Sequence, residues 1–306
     1  MEKIILFYKY VKITYPHQIM KWQRALCSKL GLKGRIVLAT EGINGTLGGP
    51  VEACEIYKQE MEASEFFKNI DFKESDGGAD YFPRLEIKVK KEITHLGLDT
   101  EVYTADNGGI HLTPEEAHNL MANPPKDLVI LDGRNNYEAA IGKFQNAITP
   151  DVNHFREFPK YVDENLEQFK DKEVLMYCTG GIRCERASTY LKSKGVTKNV
   201  YQILGGIHRY TEKYPDGFFR GKNYVFDARV TVKINDDILA NCRFCDIPYD
   251  NYTNCVNAVC NKQIIVCPKC CQENINTCSA NCTELVKNKS VVIRQKHRQV
   301  YGSCGL

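Results

Sequence analysis

The first ninety or so residues show two different spacings of apolar side chains. Short apolar or alternating stretches predict strands, and apolar side chains three or four positions apart, such as Ile19, Trp22 and Leu26, predict helices. Strands are predicted over residues 4–11, 34–40, 43–47 and 85–89, and helices from Pro16 to about Leu30 and over residues 51–61. The predicted order of elements is therefore β-α-β-β-α-β.

That order predicts a ferredoxin-like (acylphosphatase-like) α+β sandwich over residues 1–98. Its middle strands flank the segment Thr40-Glu41-Gly42-Ile43-Asn44-Gly45-Thr46. The glycines of this segment do not have the spacing of a dinucleotide-binding fingerprint. Two interpretations stay open for it: a tight turn, or a loop that faces phosphate or RNA.

A different pattern begins at Thr113-Pro114-Glu115-Glu116, which has the residues of a capping box with proline at the first helical position. Continuous apolar runs at residues 128–132, 174–177 and 200–204 suit buried parallel strands, and a helix running to Gly195 follows the second run. Strands that alternate with helices predict a parallel α/β domain over residues 110–220, with ligand sites at the carboxyl ends of the strands.

Cys178 stands at such a strand end. The loop between Cys178 and Arg183 consists of Thr179, Gly180, Gly181 and Ile182. Its backbone N–H groups and the start of the next helix favour a thiolate, and Arg183 adds a permanent positive charge. The sequence therefore predicts Cys178 as a nucleophile in an anion-cradling loop, with Arg183 as its charged partner.

The size of this loop bears on the chemistry. Cysteine phosphatases place one residue more between cysteine and arginine than the four found here, so the smaller ring suits a sulfur-sized adduct better than a phosphoryl group. Cys184 occupies the position that a phosphatase gives to arginine. It is either a resolving thiol for a modified Cys178 or a packing residue in the first turn of the helix, and the sequence leaves both interpretations open.

Four motifs, in this order, resemble the bacterial oxygen-dependent tRNA uridine hydroxylases. They are Glu41-Gly42-Ile43-Asn44-Gly45, Asp132-Gly133-Arg134-Asn135-Asn136-Tyr137-Glu138, Phe155-Arg156-Glu157-Phe158-Pro159 and Cys178-Thr179-Gly180-Gly181-Ile182-Arg183-Cys184-Glu185. The resemblance covers nearly the whole chain and implies a rhodanese-type central domain, with Asp132 and Arg134 at the strand end neighbouring Cys178. It also implies hydroxylation of the wobble uridine to 5-hydroxyuridine at Cys178, with molecular oxygen as co-substrate and the tRNA anticodon loop as partner.

Two alternatives remain beside this enzyme: a persulfide sulfurtransferase, motivated by the same loop, and an RNA-binding adaptor. Where rhodaneses commonly have Gly-His-Ile-Pro-Gly-Ala, this chain has Gly142-Lys143-Phe144-Gln145-Asn146-Ala147, which makes sulfur transfer to small acceptors less favoured. None of the seven histidines has an acidic residue two positions further on, as iron oxygenases usually do, so we expect ordinary core or surface histidines. No redox cofactor is indicated.

Nine of the fourteen cysteines lie between Cys242 and Cys282, inside a third segment, 221–306, that lacks long periodic elements. Setting Cys271 aside, eight thiols remain, enough for two tetrahedral zinc sites. They are Cys242, Cys245, Cys255, Cys260, Cys267, Cys270, Cys278 and Cys282. The spacing leaves open which thiols share an ion, and it leaves open an iron–sulfur cluster or a redox role.

Charge and hydropathy bear on the cellular location of the protein and on its binding partners. No run approaches eighteen apolar residues and the N-terminal apolar stretch is too short for a signal peptide, so we expect a cytoplasmic protein with no membrane partner and reduced cysteines. The net charge of +3 decides nothing about partners, and no oligomeric state is indicated. Candidate phosphate contacts are Arg134, Arg183 and a basic tail, unless that tail is only a solvated chain end: Lys287, Lys289, Arg294, Lys296 and Arg298.

Overall fold

The computed structural model describes residues 1–293 and divides the chain into two units. The first unit holds Met1–Asn136 and Phe144–Phe218, and the second holds Tyr137–Lys143 and the chain from Phe219 onward. Among residues 1–293, none of the helices has the length and apolar composition that a bilayer crossing requires.

The N-terminal part of the first unit is a five-stranded sheet with two helices. Its elements are β1 (Glu2–Tyr10), α1 (Pro16–Lys29), β2 (Lys33–Ala39), β3 (Gly42–Pro50), α2 (Val51–Ala63), β4 (Phe72–Asp76) and β5 (Leu85–Val89). The strand order is β4-β1-β3-β2-β5, antiparallel except between β2 and β5. The order β4-β1-β3-β2 is that of the predicted ferredoxin-like sandwich, so the fold class is confirmed.

The predicted strand over residues 85–89 is present, but it is not the fourth strand of the sandwich. Residues 85–89 form β5, an additional edge strand parallel to β2, whereas the fourth strand of the sandwich is β4. The sequence of β4, Phe-Lys-Glu-Ser-Asp, is mostly polar, because an edge strand that pairs only with β1 needs few apolar side chains. Because β4 has few apolar residues, apolar periodicity does not predict it.

Alternation along β1 gives the two faces of the sheet different roles. Ile5 and Phe7 are fully buried and pack in one core with side chains of α1 and α2. Leu6, Tyr8 and Tyr10 point to the opposite face, because successive side chains of a strand alternate. That second face contacts the central part of the same unit: the Tyr8 hydroxyl donates to Glu185, and the Tyr10 hydroxyl donates to the Ile182 carbonyl over 3.2 Å.

The central part of the first unit is a parallel α/β domain. Its main elements are β6 (Ile110–Leu112), α3 (Pro114–Ala122), β7 (Leu128–Asp132), α5 (Phe158–Glu164), β9 (Glu173–Tyr177), α6 (Ile182–Ser193), β10 (Asn199–Ile203) and α7 (Gly206–Lys213). Between β7 and α5 in the chain, α4 (Asn136–Ala139) and β8 (Gly142–Phe144) belong mostly to the second unit. The sheet order is β6-β10-β9-β7, with all pairs parallel, as predicted. The predicted capping box of α3 is present, with Thr113 and Glu116 hydrogen-bonded to each other's backbone N–H groups.

The second unit consists of short elements around buried cysteines. They are β11 (Phe219–Tyr224), β12 (Thr231–Lys233), β13 (Tyr252–Asn254), β14 (Gln263–Ile265), α8 (Pro268–Glu273) and α9 (Ala280–Lys287). Strands β12, β11 and β8 form one sheet, and β13 and β14 form a hairpin. A core cluster here combines seven cysteines with Ile264 and Val266, so cysteine side chains fill the place that larger apolar side chains take in the other cores.

Candidate active site

The predicted cysteine loop lies between β9 and α6. Cys178 is fully buried, and the backbone N–H of Gly181 points at its sulfur over 3.2 Å. Gly181 has a φ of 103°, which glycine adopts without strain, and this conformation turns the chain into α6. Arg183 is also buried, and its Nη2 donates to Thr179 Oγ1 over 3.2 Å. The structure thus brings together the residues that the sequence placed in this loop.

Two backbone N–H groups at the N-terminus of α7 donate hydrogen bonds to carbonyl groups of the loop. The N–H of Ile207 donates to the carbonyl of Cys178 over 2.9 Å, and the N–H of His208 donates to the carbonyl of Thr179 over 3.1 Å. A Cβ atom on Gly206 would lie 2.3 Å from the Cys178 carbonyl oxygen, so no larger residue fits there. The sequence signal for this close approach is the pair Gly205-Gly206, which stands where α7 begins.

The loop holds Cys178 as a thiolate. Burial, the largest influence, raises the pKa of this thiol, but a hydrogen bond from Cys184, the Arg183 charge and the N–H groups of Arg183 and Cys184 outweigh it and lower the pKa to about 5. Burial, together with that hydrogen bond and the nearby Cys178 charge, raises the pKa of Cys184 well above its ordinary value. At neutral pH, Cys178 is therefore the thiolate and Cys184 the neutral donor.

We expect ultraviolet thiolate absorbance, taken as wild type minus Cys178→Ser, to persist on acidification until about pH 5. The sign follows from the lowered pKa, since a thiol of lowered pKa stays ionised below the ordinary range. Arg183→Gln removes a stabilising charge and should raise the midpoint by about one pH unit or more. Arg84→Gln, at an exposed arginine far from the loop, is the matched control and should leave the midpoint unchanged. A midpoint at the ordinary value of a free thiol would contradict the expected thiolate.

Asp132 and Arg134 lie beside the loop and form an ion pair with each other. Both are fully buried; Arg134 Nε donates to Asp132 Oδ1 over 2.9 Å and Nη2 donates to Oδ2 over 2.7 Å. The Tyr177 hydroxyl donates to the same carboxylate over 2.7 Å, just before Cys178 in the chain. The expectation that Arg134 contacts RNA phosphate is wrong, because its guanidinium is buried against Asp132. The pair supports the strand ends that carry the loop.

Asp132→Ala should destabilise this part of the sheet by about 3–5 kcal/mol, because it leaves the Arg134 charge buried without its carboxylate. Hydrogen exchange of the β7 and β9 amides measures the effect locally and should become much faster. The control is Glu86→Ala, which breaks an exposed pair with Arg84 and should cost at most about 1 kcal/mol. Unchanged exchange in Asp132→Ala would show that the pair does not support these strands.

The N-terminal sheet supplies residues to the loop that sequence analysis missed. A Cβ atom on Gly180 would lie 3.1 Å from Leu6 Cδ2, and one on Gly181 would lie 2.6 Å from the Tyr8 hydroxyl oxygen. Lys73, on β4, is buried, lies with its Nζ 5.1 Å from the centre of the Tyr8 ring, and pairs with Asp71 over 2.8 Å. Side chains of β1 and β4 therefore cover the cysteine loop.

Glu185, on the first turn of α6, links this cover to the central sheet. Its Oε1 accepts a hydrogen bond from the Tyr8 hydroxyl over 2.9 Å, and its Oε2 accepts one from Gln202 Nε2 over 3.1 Å. His111 Nε2 lies 3.1 Å from both carboxylate oxygens. His111 is thus part of a partly buried polar network, which the expectation of an ordinary histidine did not foresee.

Comparison with known proteins gives matches along most of the chain. The UPF0176 acylphosphatase like domain matches residues 2–93, the rhodanese-like domain residues 113–213 and the rhodanase C-terminal domain residues 220–283. A tRNA uridine(34) hydroxylase of Corynebacterium jeikeium (strain K411) is 45% identical over 276 residues, which cover 88% of this chain and 89% of that protein. The chain belongs to the tRNA uridine(34) hydroxylase family. The family resemblance found in the sequence is confirmed.

Two further relatives carry the same name. The tRNA uridine(34) hydroxylase of Corynebacterium aurimucosum is 44% identical, covering 88% of this chain and 92% of that protein. The one of Corynebacterium diphtheriae is 42% identical, covering 92% and 93%. Each of these matches covers about nine tenths of the chain.

In this member of the tRNA uridine(34) hydroxylase family, the segment 40–46 is a tight turn followed by β3. Glu41 accepts a hydrogen bond from the N–H of Ile93 over 2.7 Å and lies 3.6 Å from Nε of Arg186, a fully buried residue of α6. Arg186 also donates to the Leu98 carbonyl over 2.9 Å. Glu41 therefore ties the N-terminal sheet to the helix that begins at the cysteine loop.

The eight predicted ligand cysteines form two groups in the second unit. The first cluster is Cys242, Cys245, Cys267 and Cys270, and the second cluster is Cys255, Cys260, Cys278 and Cys282; within each, the sulfurs lie within 4.8 Å of one another. The two clusters interleave along the chain. The structure thus gives the pairing of ligands that the sequence left open.

The sulfur distances fit a single ion in each cluster. The sulfurs of Cys245 and Cys267 are 3.7 Å apart, and those of Cys260 and Cys278 are 3.5 Å apart. Four thiolates at about 2.3 Å from one tetrahedral ion lie about 3.8 Å from each other. In a four-iron cluster each thiolate binds a different iron, which would separate the sulfurs further. Each cluster therefore matches a mononuclear metal site.

The basic tail lies only partly within the described residues. Lys287 ends α9 and Lys289 follows two residues later. Arg294, Lys296 and Arg298, which the sequence also suggested as phosphate contacts, lie outside the described residues. The role of the tail in binding RNA stays a prediction.

Proposed function

We propose that this protein hydroxylates C5 of the wobble uridine in tRNA, with molecular oxygen as co-substrate and Cys178 as the reacting thiolate. The observation that carries the proposal is the low-pKa thiolate of Cys178 in a chain that belongs to the tRNA uridine(34) hydroxylase family. In the net reaction a hydroxyl replaces the C5 hydrogen. One oxygen atom enters the base, and the other leaves as water with two electrons from an external reductant.

The proposed roles follow from the loop geometry. Cys178 meets the uracil ring as a nucleophile, which a thiolate is and a thiol is not. Arg183 and the N–H of Gly181 keep the sulfur anionic before it reacts. Cys184 donates a hydrogen bond to that anion. The reaction proposed here would not need Cys184 as a resolving thiol, because no disulfide takes part.

The anticodon loop is the substrate region that suits a buried thiolate. A uridine in that loop is single-stranded, so its base can be turned outward without opening a duplex. Cys178 has no exposed surface, so binding must bring the base past the side chains that cover the loop. We therefore propose that the enzyme recognises the splayed base together with its flanking phosphates.

The decisive experiment incubates the purified protein with unmodified tRNA, oxygen and a reductant, and then digests the RNA for nucleoside mass spectrometry. We expect 5-hydroxyuridine at the wobble position with oxygen present, and none under argon. Sulfur transfer from thiosulfate to cyanide is measured in parallel. Sulfur transfer at a high rate without any 5-hydroxyuridine would replace the proposal with the sulfurtransferase alternative.

Binding of tRNA should weaken steeply between about 50 and 200 mM salt, because each neutralised phosphate releases bound counterion. Deleting residues 287–306 should flatten this dependence by removing the basic tail. Cys178→Ser, which removes a single buried charge and keeps the tail, is the control and should change the slope much less than the deletion does. A slope that is flat in the wild type would count against a tRNA substrate.

We further propose zinc as the ion of both cysteine clusters. All-cysteine tetrahedral sites of this size are typical structural zinc sites, and the ligand sets lack an open position for catalysis.

The proposed domain division is 1–98, 110–220 and 221–306, and the matched family segments, 2–93, 113–213 and 220–283, support it. The third domain would then serve stability and RNA contact rather than the reaction.

A further inference from the structure

A hydrogen-bonded series of side chains leads away from the cysteine loop. It starts at the hydroxyl of Tyr8, which donates to Glu185 Oε1 over 2.9 Å. It continues to His111, whose Nε2 lies 3.1 Å from both oxygens of Glu185. Glu185 is buried, whereas the side chain of His111 is 45% exposed. The series therefore joins the interior next to Cys178 with solvent.

The inner end of this series faces the reacting thiol. The Tyr8 hydroxyl lies against Gly181, whose N–H points at the Cys178 sulfur over 3.2 Å. Burial, then the Glu185 carboxylate and the Cys178 charge, raise the pKa of Tyr8 far above its ordinary value. Tyr8 therefore stays protonated and is suited to passing a proton on rather than to holding a negative charge.

The outer end is suited to exchanging protons with water. The hydrogen bond with Glu185 raises the pKa of His111, and partial burial opposes this only in part. A histidine of raised pKa takes up protons near neutral pH. Other side chains also face Glu185 or Tyr8. Gln202 donates to Glu185, the Lys73 ammonium group lies over the Tyr8 ring, and Cys178 and Cys184 raise the pKa of Tyr8. The charge of Glu185 also raises the pKa of a second tyrosine, Tyr10.

We propose that Tyr8, Glu185 and His111 form the proton path for the reaction at Cys178, with Tyr8 at its inner end. This inference rests on the proposed function. When a hydroxyl replaces hydrogen at C5, that hydrogen leaves as a proton and its bonding electrons stay in the ring. Tyr8 accepts this proton on its oxygen and passes its own hydroxyl proton to Glu185, which hands one to His111 and so to solvent. No electrons are transferred along the path.

The sequence could not have shown this path, because its members lie far apart in the chain. Tyr8 and Glu185 are separated by 177 positions and Glu185 and His111 by 74. The N-terminal sandwich thereby becomes part of the active site, since it brings Tyr8 to a loop that belongs to the central domain. A rhodanese-type loop without this sandwich would lack the inner end of the path.

The test compares Tyr8→Phe with Tyr57→Phe in the full-length protein. Both variants lose a hydroxyl that donates a hydrogen bond; that of Tyr57 donates to Gln23 over 2.6 Å in the core on the other face of the sheet. We expect Tyr8→Phe to lower kcat by about a hundredfold with little change in KM, as for the loss of a general acid–base group. Tyr57→Phe should keep the kcat of the wild type.

A second readout separates proton transfer from structural support. His111→Ala should lower kcat, and added imidazole should restore it, because the site of His111 is accessible to small molecules from solvent. His111→Gln keeps a hydrogen-bond donor for Glu185 but carries no proton, so it should be as slow as His111→Ala without imidazole. The thiolate absorbance of Cys178 should persist in all these variants.

Two results would overturn the path. One is a Tyr8→Phe protein that is as active as Tyr57→Phe, and the other is a His111→Ala protein that imidazole does not accelerate. A wild-type protein that forms no 5-hydroxyuridine would instead refute the proposed function, and the path with it. The activity of the wild type therefore tells the two failures apart.

Discussion

Cys178→Ser is expected to lower the formation of 5-hydroxyuridine by on the order of a thousandfold or more, as does removal of a nucleophile in other enzymes. Serine has nearly the size of cysteine, so β9 and α6 should keep their packing. Its hydroxyl stays protonated at neutral pH, whereas the surroundings of Cys178 lower the pKa of the thiol to about 5. Nucleoside mass spectrometry of tRNA after a timed reaction measures the loss.

The control for this experiment is Cys54→Ser. Cys54 is a buried thiol of the N-terminal sandwich, and burial raises its pKa, so its replacement should leave the activity intact. Cys184→Ser answers the question that the sequence left open: a serine still donates a hydrogen bond to Cys178 but cannot form a disulfide. Near-normal turnover of Cys184→Ser would mean that Cys184 is a donor only. Full activity of Cys178→Ser would refute a mechanism centred on this loop.

The second large effect is expected from the metal clusters. The purified protein should contain about two zinc ions per chain, and Cys270→Ser should reduce this to about one. Structural zinc contributes on the order of 10 kcal/mol to the folding of small domains, so losing one ion should unfold much of the second unit. Elemental analysis gives the zinc content, and limited proteolysis of residues 219–293 reports the unfolding.

Cys27→Ser is the matched control for this prediction. Cys27 is buried like Cys270 but lies in the N-terminal core, outside both clusters, so its replacement should leave zinc content and proteolysis unchanged. Iron in place of zinc would refute the proposed ion. A metal-free protein with a protease-resistant second unit would refute metal-dependent folding.

What the sequence could reveal depended on how local each feature is. The loop from Cys178 to Arg183 is contiguous, and the strand before it and the helix after it have clear patterns, so its geometry was predictable. The strand β4 was not, because an edge strand of polar residues has the composition of a loop. Lys73, which lies on β4 and against the Tyr8 ring, was missed together with its strand.

Features that join distant parts of the chain could not be predicted from the sequence. The spacing of the cysteines indicated metal ligands, but only the fold shows that Cys245 lies next to Cys267 rather than Cys255. Arg134 was a candidate for RNA contact because it follows the strand end that neighbours the cysteine loop, yet the structure buries it with Asp132. The contact of Tyr8 with Glu185 depends on how two sheets meet, which no local pattern encodes.

The interleaving of the two clusters has a consequence for the synthesis of the protein. The first cluster is incomplete until Cys270 has emerged from the ribosome, and the second until Cys282 has emerged. A chain that ends before Cys270 would complete neither cluster, and one that ends between Cys270 and Cys282 would complete only the first. Cys178 and its loop precede all eight of these cysteines in the chain, so they are synthesised before either proposed metal site can form.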